Sequence, residues 1–517
     1  MMHKILLILI LAISSSLSGQ ILPLSDYWNR ELERVEHVNG NPGFTSFKPV
    51  LKSEINYRKL TGEVKDSAKY YSTLSRLFFR DHLLEYKKDD AHITVDPLFQ
   101  FEFYKDQINP NYNASHSKLY LNSRGALLQG KLGKAFEFQS LFIESQSVLP
   151  YYQDTIATTL GVIPGMGRHK PFNKVGYDYG VSQSWLSYSP KSWWSVQVGY
   201  GKQMIGNGYR SLLLSDAAMS YPMVRLNVMK SKWQYHTTAA ILQEQIRLPL
   251  GDTGESLFRR KTGLWNYLVF LPTPTLEIGI MEACIDQRWT PHGTEAPPLH
   301  SYIPVIGLRG WMAQKDSANL SLYGLNLKWN LSSKTTFYGQ YLVTAHGGSS
   351  SGFQMGALFT DIGVKNFDVR IEYNSTQASL YNHPEQNWLG YSQQNQSLGL
   401  IHFGNSEEWI TRIHYRFNRW LLDGHYNQLN QSMGHGSNPY ALTSADVTGY
   451  RLLQQLQAEI GYLIHPHTRT CLYLGFLQRH DTRNYIVYFG NPKIEHWDAQ
   501  LITLRFSCDI SSRYFDF

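Results

Sequence analysis

Cysteine is scarce in this chain of 517 residues: three thiols, Cys284, Cys471 and Cys508, fall at no spacing that suits a metal centre. One disulfide is the most they can form, so no covalent framework holds the fold. Beyond residue 19, charged or strongly polar residues interrupt every apolar run within a few positions. None approaches the roughly 20 residues that a membrane helix needs. The chain also lacks a phosphate-binding glycine loop, a serine nucleophile motif with a histidine partner, and a basic–aromatic nucleic-acid signature. Basic residues outnumber acidic ones, 48 to 41, but they are scattered and form no arm for nucleic acid. Helical membrane proteins, disulfide-stapled domains, nucleotide-dependent enzymes and nucleic-acid binders are thereby set aside.

What is present begins with an export signal. Met1 to Lys4 form a short basic start, Ile5 to Ile13 an apolar core, and Ser14 to Gly19 a small-residue exit without cysteine. Residues 1–19 therefore read as a secretory signal peptide. Ser25 and Asp26 can cap a helix that runs to about His37, with Tyr27, Leu32 and Val35 as its apolar positions. Residues 41–64 read as an extended connector, and the spacing of Tyr70, Leu74, Leu77, Phe78 and Leu83–Leu84 predicts a second helix over 66–86. Residues 20–90 are thus expected to form a partly helical region, lying on the periplasmic side or plugging a lumen.

From Ala91 onward the period becomes two. Ile93, Val95, Phe99, Phe101 and Phe103 alternate with Thr94, Asp96, Gln100 and Glu102, and similar segments recur to Ile510. About 18 strands are expected in residues 91–517, with Tyr485–Phe489 as one of them. Short turns alternate with connections as long as 150–178 and 381–396. The chain is rich in aromatics (34 Tyr, 24 Phe, 13 Trp) although its mean hydropathy is slightly polar. Amphipathic strands with lipid-facing apolar residues, aromatic girdles and a polar lumen would give this composition. The expected fold is all-β: a transmembrane antiparallel barrel in outer-membrane lipid, closed because hydrocarbon tolerates no unpaired strand edge. A soluble sandwich or propeller is the alternative. The terminal Phe517, read as ending the last strand, would be the signal for the barrel assembly machinery. Phe515 and Phe517 are out of phase with Leu504 and Phe506, which calls for a bulge or turn at Ser511–Ser512.

One interruption stands out, Gly201 to Leu226. It carries Gly206 and Gly208, the run Leu212 to Leu214, Ser215–Asp216, Ala218 and Tyr221–Pro222. In that order these residues resemble the Wzi-type capsule-assembly proteins and the related RemB-type gliding-motility proteins of the Bacteroidetes. The mature start at Ile21–Glu33 and the segment Ser46–Ile55 are similar to RemB-type members. Asn207 stands where a Wzi-type proline is expected, which sets the chain nearer the RemB branch. The resemblance implies a non-enzymatic outer-membrane barrel serving capsular or surface polysaccharide, or gliding. From the residues themselves, Arg210, Ser215 and Asp216 would line a lumenal loop that contacts glycan. Equally, the glycines would permit positive φ, Asp216 would cap a turn and Pro222 would start a strand; this structural role is the preferred one.

Other candidates are weaker. His465 and His467 would share a strand face, but no third ligand closes a metal set, and a turn explains them. Glu102, Glu137 and Glu144 are the carboxylates that could pair for glycoside cleavage, although lumen-facing carboxylates are ordinary in a barrel. No catalytic residue, metal or cofactor is expected. A porin or substrate channel is the main functional alternative, and a barrel enzyme acting on lipid or glycan the weaker one.

Overall fold

The computed structural model describes residues 24–39, 45–50, 72, 81–116, 118–247, 258–287, 289–290, 293–294, 302–309, 319–345, 350–383, 387–402, 404–433, 447–465, 468–487, 491–508 and 514–517. Among these, eighteen long strands close into one antiparallel barrel. They are β1 (Ala91–Asp106), β2 (Leu119–Leu132), β3 (Phe136–Val148), β4 (Gly176–Lys191), β5 (Trp194–Gly201), β6 (Tyr221–Lys230), β7 (Trp233–Arg247), β8 (Phe258–Thr273) and β9 (Leu276–Gln287). The ring continues with β10 (Asn319–Ser332), β11 (Thr335–Thr344), β12 (Ser351–Phe359), β13 (Phe367–Thr376), β14 (Asn405–Phe417), β15 (Trp420–Met433), β16 (Val447–His465), β17 (Thr470–Val487) and β18 (Ala499–Cys508). Strand β18 returns to β1 through seven pairs, from Leu501↔Asp106 to Ser507↔Gln100. The all-β transmembrane barrel fold read from the alternation is the fold observed.

Alternation sets the two faces. In β13, Ile371 is exposed while its neighbours Arg370 and Glu372 are buried. Around the ring Phe103, Leu186, Val224, Leu325, Trp409, Leu456 and Leu504 are all exposed, forming the apolar band that such a barrel presents to lipid. Two-residue turns such as Ser231–Lys232 and Asn418–Arg419 close one rim, each with its first residue at positive φ (55° and 54°), as tight hairpins require. Aromatics ring that rim, including Trp233 stacked on Phe270 at 4.1 Å and Trp420 edge-on to Tyr462 at 5.1 Å. The long connections leave from the opposite rim. No helix among the described residues is long and apolar enough to cross a membrane.

Helix α1 (Asp26–Asn39) lies inside the barrel. Its first turn is capped by Ser25, whose Oγ accepts from the Trp28 amide at 3.3 Å. Its charges meet inward-facing strand residues: Arg412 donates to Asp26 at 2.8 Å, Arg30 pairs with Asp423 at 3.3 Å, Arg34 with Asp368 at 2.9 Å, and Glu33 with Arg370. Two further helices belong to long connections, α2 (Pro110–Ser115) between β1 and β2 and α3 (Tyr151–Leu160) between β3 and β4. Tyr152 and Ile156 of α3 pack on Leu477 and Leu501 of the wall.

Four expectations are corrected. Leu84–Tyr86, placed at the end of the helix expected over 66–86, belong to a strand Leu84–Lys88 paired to β1 (Leu84↔Val95 to Lys88↔Ala91) across the turn Asp89–Asp90. Glu85 and Lys87 alternate there with Leu84 and Tyr86, a strand period that the upstream helical spacing obscured. Tyr485 and its neighbours are the end of β17, not a separate strand. Phe517 does not end the last strand: β18 stops at Cys508, and Tyr514–Phe517 turn into the lumen, where Arg451 and Arg479 bind the Phe517 carbonyl oxygen. The lumen is also not polar throughout, because one sector is filled by apolar side chains. The signal segment 1–19, the rest of the helix expected over 66–86, the turn at Ser511–Ser512 and His467 lie outside the described residues.

Candidate functional site

The glycine-rich segment is the connection between β5 and β6, and residues 202–220 fold inward and are buried almost throughout. Met204–Ile205 pair with Phe47–Lys48, a short ladder that joins the loop to the chain leading from α1 (Phe47↔Ile205). Gly206 has φ 144°, which disfavours a side chain, and its carbonyl accepts from Lys48 Nζ at 2.9 Å. Gly208 is required by proximity: a Cβ there would lie 2.5 Å from Glu372 Oε2 and 2.7 Å from the Arg210 carbonyl. Glu372 reaches in from β13 and accepts from the amides of Tyr209 (2.8 Å) and Arg210 (3.1 Å). Gln340 of β11 accepts from the Leu212 amide at 2.7 Å and donates to the Ile205 carbonyl at 2.9 Å. Wall side chains thus satisfy buried loop backbone groups beyond the short ladder at Met204–Ile205.

Arg210 is the loop's anchor. Only 1 % of its side chain is exposed, and it grips two carboxylates: Glu408 of β14 (Nη2–Oε1 2.7 Å, Nε–Oε2 3.2 Å) and Asp516 of the tail (Nη2–Oδ2 2.8 Å, Nη1–Oδ1 3.2 Å). Burial alone would lower the Arg210 pKa, but Asp516 and Glu408 outweigh it and hold the guanidinium firmly charged. Burial would likewise raise the Asp516 carboxyl, and Arg210 with His425 keeps it well below the usual carboxylate range. The Tyr209 ring carries the Arg412 guanidinium at 4.4 Å and meets His425 edge-on at 5.1 Å.

The remaining motif residues divide. Ser215, not Asp216, closes the local turn, its Oγ accepting from the Ala217 amide at 3.2 Å. Asp216 is instead spent on a long-range contact, accepting from the Tyr514 hydroxyl, because the tail brings that donor into the lumen. Its carbonyl and that of Gly165 accept from Lys202 Nζ at 3.1 and 2.7 Å, and burial, partly offset by Asp216, lowers that amine to about 8. Pro222 is the second residue of β6, opposite Tyr200, with its side chain exposed on the outer wall. Gly208 and Arg210 therefore meet at the Glu372–Glu408 face, Gly206 lies beside Gln340 and Lys48, and Pro222 stands apart.

On one side of the loop the lumen is dry. Leu212, Leu213 and Leu214 are fully buried in a cluster with Trp265 and Tyr267 of β8, Leu322 of β10 and Leu342 of β11. The connection 377–404 completes it: the Tyr381 and Tyr391 hydroxyls donate to the carbonyls of Leu212 and Leu213, both at 2.8 Å, and Trp265 Nε1 donates to the Tyr391 hydroxyl at 2.7 Å. On the other side, along β14–β18 and β1–β3, a cavity of about 150 Å³ lies between α1, the loop and the tail, lined by Tyr209, Arg412, Asp423, His425, Glu459 and Arg505 among others. Its charges are matched in pairs, Arg505 with Glu459 at 2.6 Å and Arg30 with Asp423.

The other sequence candidates are dispersed. Glu102 points inward from β1, near Gln100 and Tyr104. Glu137 is buried on β3 at the level of His92, ten residues along the strand and so roughly 33 Å away at ~3.3 Å per residue. Glu144 shares the outer face with exposed Phe142 and stands opposite Arg124 in register, so these three cannot act together. His465 ends β16 and its ring bonds Thr468 and the Asp81 carbonyl. Among the described residues no group of three metal-ligating side chains occurs. Sequence reasoning missed Glu372, Glu408 and Gln340; the signal available was charged and amide side chains at alternate positions of otherwise apolar strands.

No protein-family model matches this chain, and neither does any curated protein. Solved structures do match. Wzi, an outer membrane protein involved in group 1 capsule assembly in Escherichia coli and a carbohydrate-binding β-barrel, aligns over 94% of this chain and 98% of its own, with TM-score 0.56 and 13% identity. A BenF-like porin from Pseudomonas fluorescens Pf-5 aligns over 81% of this chain and 98% of its own, with TM-score 0.44 and 11% identity. Pseudomonas aeruginosa OpdK, solved with vanillate, aligns over 81% and 98%, with TM-score 0.43 and 9% identity. What Wzi shares with this chain is the fold.

Proposed function

We propose that this protein is a non-enzymatic outer-membrane barrel that holds capsule or exopolysaccharide at the cell surface, or serves gliding adhesion in the manner of RemB-type proteins. The observation that carries the reading is the filled lumen: Glu33 of α1 pairs with Arg370 and Arg210 of the loop 202–220 with Glu408 of the wall, the tail is held through Arg210, and the described part of the connection 377–404 is packed and hydrogen-bonded against the loop and Trp265. Such an interior suits a rigid platform better than a passage. The fold shared with the carbohydrate-binding barrel Wzi supports it. In this reading residues 1–19 direct export, the N-terminal region 20–90 contributes α1 to the lumenal plug, 91–517 form the barrel with its inward loop and tail, and Gly206, Gly208, Arg210, Ser215 and Asp216 shape the plug loop. The barrel assembly machinery would then receive β18, since Phe517 is folded inside.

Deletion of the gene in the source organism, scored for capsule retention and colony spreading, tests the reading alongside binding of the purified barrel to that organism's polysaccharide. Loss of capsule or of spreading, with binding, is expected; normal capsule, normal spreading and no binding would remove it. A substrate channel is the second reading, favoured by the cavity of about 150 Å³ between α1, the loop and the tail.

A further inference from the structure

The tail Tyr514–Phe517 is bound the way a ligand is bound. The Asp516 carboxylate accepts from Arg210 at 2.8 and 3.2 Å and from the Tyr209 hydroxyl at 3.3 Å; Asn427 Nδ2 lies 3.5 Å away and His425 Nε2 3.2 Å. The next backbone oxygen, that of Phe517, accepts from Arg451 at 2.5 Å and Arg479 at 2.7 Å. Phe515 forms a wall common to the larger polar cavity and to two small ones of about 30 Å³ each. Withdrawing the tail would merge these spaces. It would also leave four guanidiniums, those of Arg210, Arg451, Arg479 and Arg483, paired among the described residues with two carboxylates, those of Glu408 and Asp481. A buried site with that surplus selects for a negative ligand. Planar guanidinium forks match a carboxylate in particular.

We propose that the tail Tyr514–Phe517 is an internal, displaceable ligand of an arginine-lined carboxylate site, and that an acidic sugar competes with Asp516 for Arg210. The inference extends the polysaccharide reading to one class of sugar and rests on it only for the sugar's origin. Its test reads the tail and not the cell surface, so either can fail alone.

The experiment is calorimetric titration of the full-length barrel in detergent with galacturonate, oligogalacturonate and a neutral malto-oligosaccharide of equal length. Asp516→Ala is expected to bind the galacturonates roughly tenfold more tightly than the unmodified protein, with no gain for the neutral oligomer. Tyr514→Phe, which removes only the bond to Asp216, is expected to gain roughly threefold. A preference for the oligomer over the monomer assigns the carboxylate to a polysaccharide, and parity assigns it to free sugar acids. Equal gains for neutral and acidic sugars, or no gain in either variant, would overturn the proposal. So would loss of heat-modifiable barrel migration in both variants, because a displaceable tail cannot be essential to the fold.

Discussion

The two halves of this lumen use opposite chemistry to do one job. Facing β6–β11, the loop presents Leu212–Leu214 to Trp265, Tyr267 and Leu322, and the barrel interior is packed like the core of a soluble protein. Facing β13–β18, the same loop presents Arg210 to Glu408 and Asp516, and the interior is a set of matched charges with empty space between them. The dry side gains stability from area removed from water and tolerates no void. The charged side is specific: each pair offsets a large desolvation cost only while both partners remain. Any room for a ligand is therefore on the charged side.

The largest expected effect breaks that side. Arg210→Gln leaves Glu408 and Asp516 buried without their guanidinium and should cost about 3–5 kcal/mol, read as a lower urea midpoint of barrel unfolding. Leu213→Ala tests the dry side: it opens a cavity in a fully buried cluster and should cost about 3 kcal/mol in the same assay, without changing the response to salt. If Leu213→Ala were neutral, the loop would not be packed as described. Gly208→Ala probes the junction of the two sides, forcing a methyl against Glu372, and should cost about 2 kcal/mol.

The remaining effect is a pH dependence. Lys202 loses its proton near pH 8 when folded and near 10.5 when unfolded. Between those values the unfolded chain binds more protons, so stability rises with pH, by at most about 1.4 kcal/mol per pH unit for this one group. Lys202→Met should flatten the rise in the urea midpoint between pH 8 and 10.

Much of the wall was legible in the sequence because a period of two survives any loop insertion. Ile371 out and Arg370 in can be read without knowing the neighbour strand. What fills the wall was not legible. Arg210 finds partners 198 and 306 positions away, and nothing local marks Glu408 or Asp516 as those partners. The dry sector was hidden for another reason: in β8, Leu264 and Leu268 flank Trp265 and Tyr267, so both faces are apolar and alternation assigns neither inward. Phe517 misled because a terminal aromatic suggests a strand end, whereas Asp516 beside it has a buried arginine to satisfy. The motif glycines were read as sites of positive φ; Gly206 is one, but Gly208 is needed for space.

Single-channel recording of the intact protein in planar bilayers tests the filled lumen most directly. No steady conductance above the bare membrane is expected at low voltage, since α1 and the loop are paired to the wall and the tail is held by Arg210, Arg451 and Arg479. Stable, ohmic openings in the unmodified protein would contradict that expectation and return the chain to the porins.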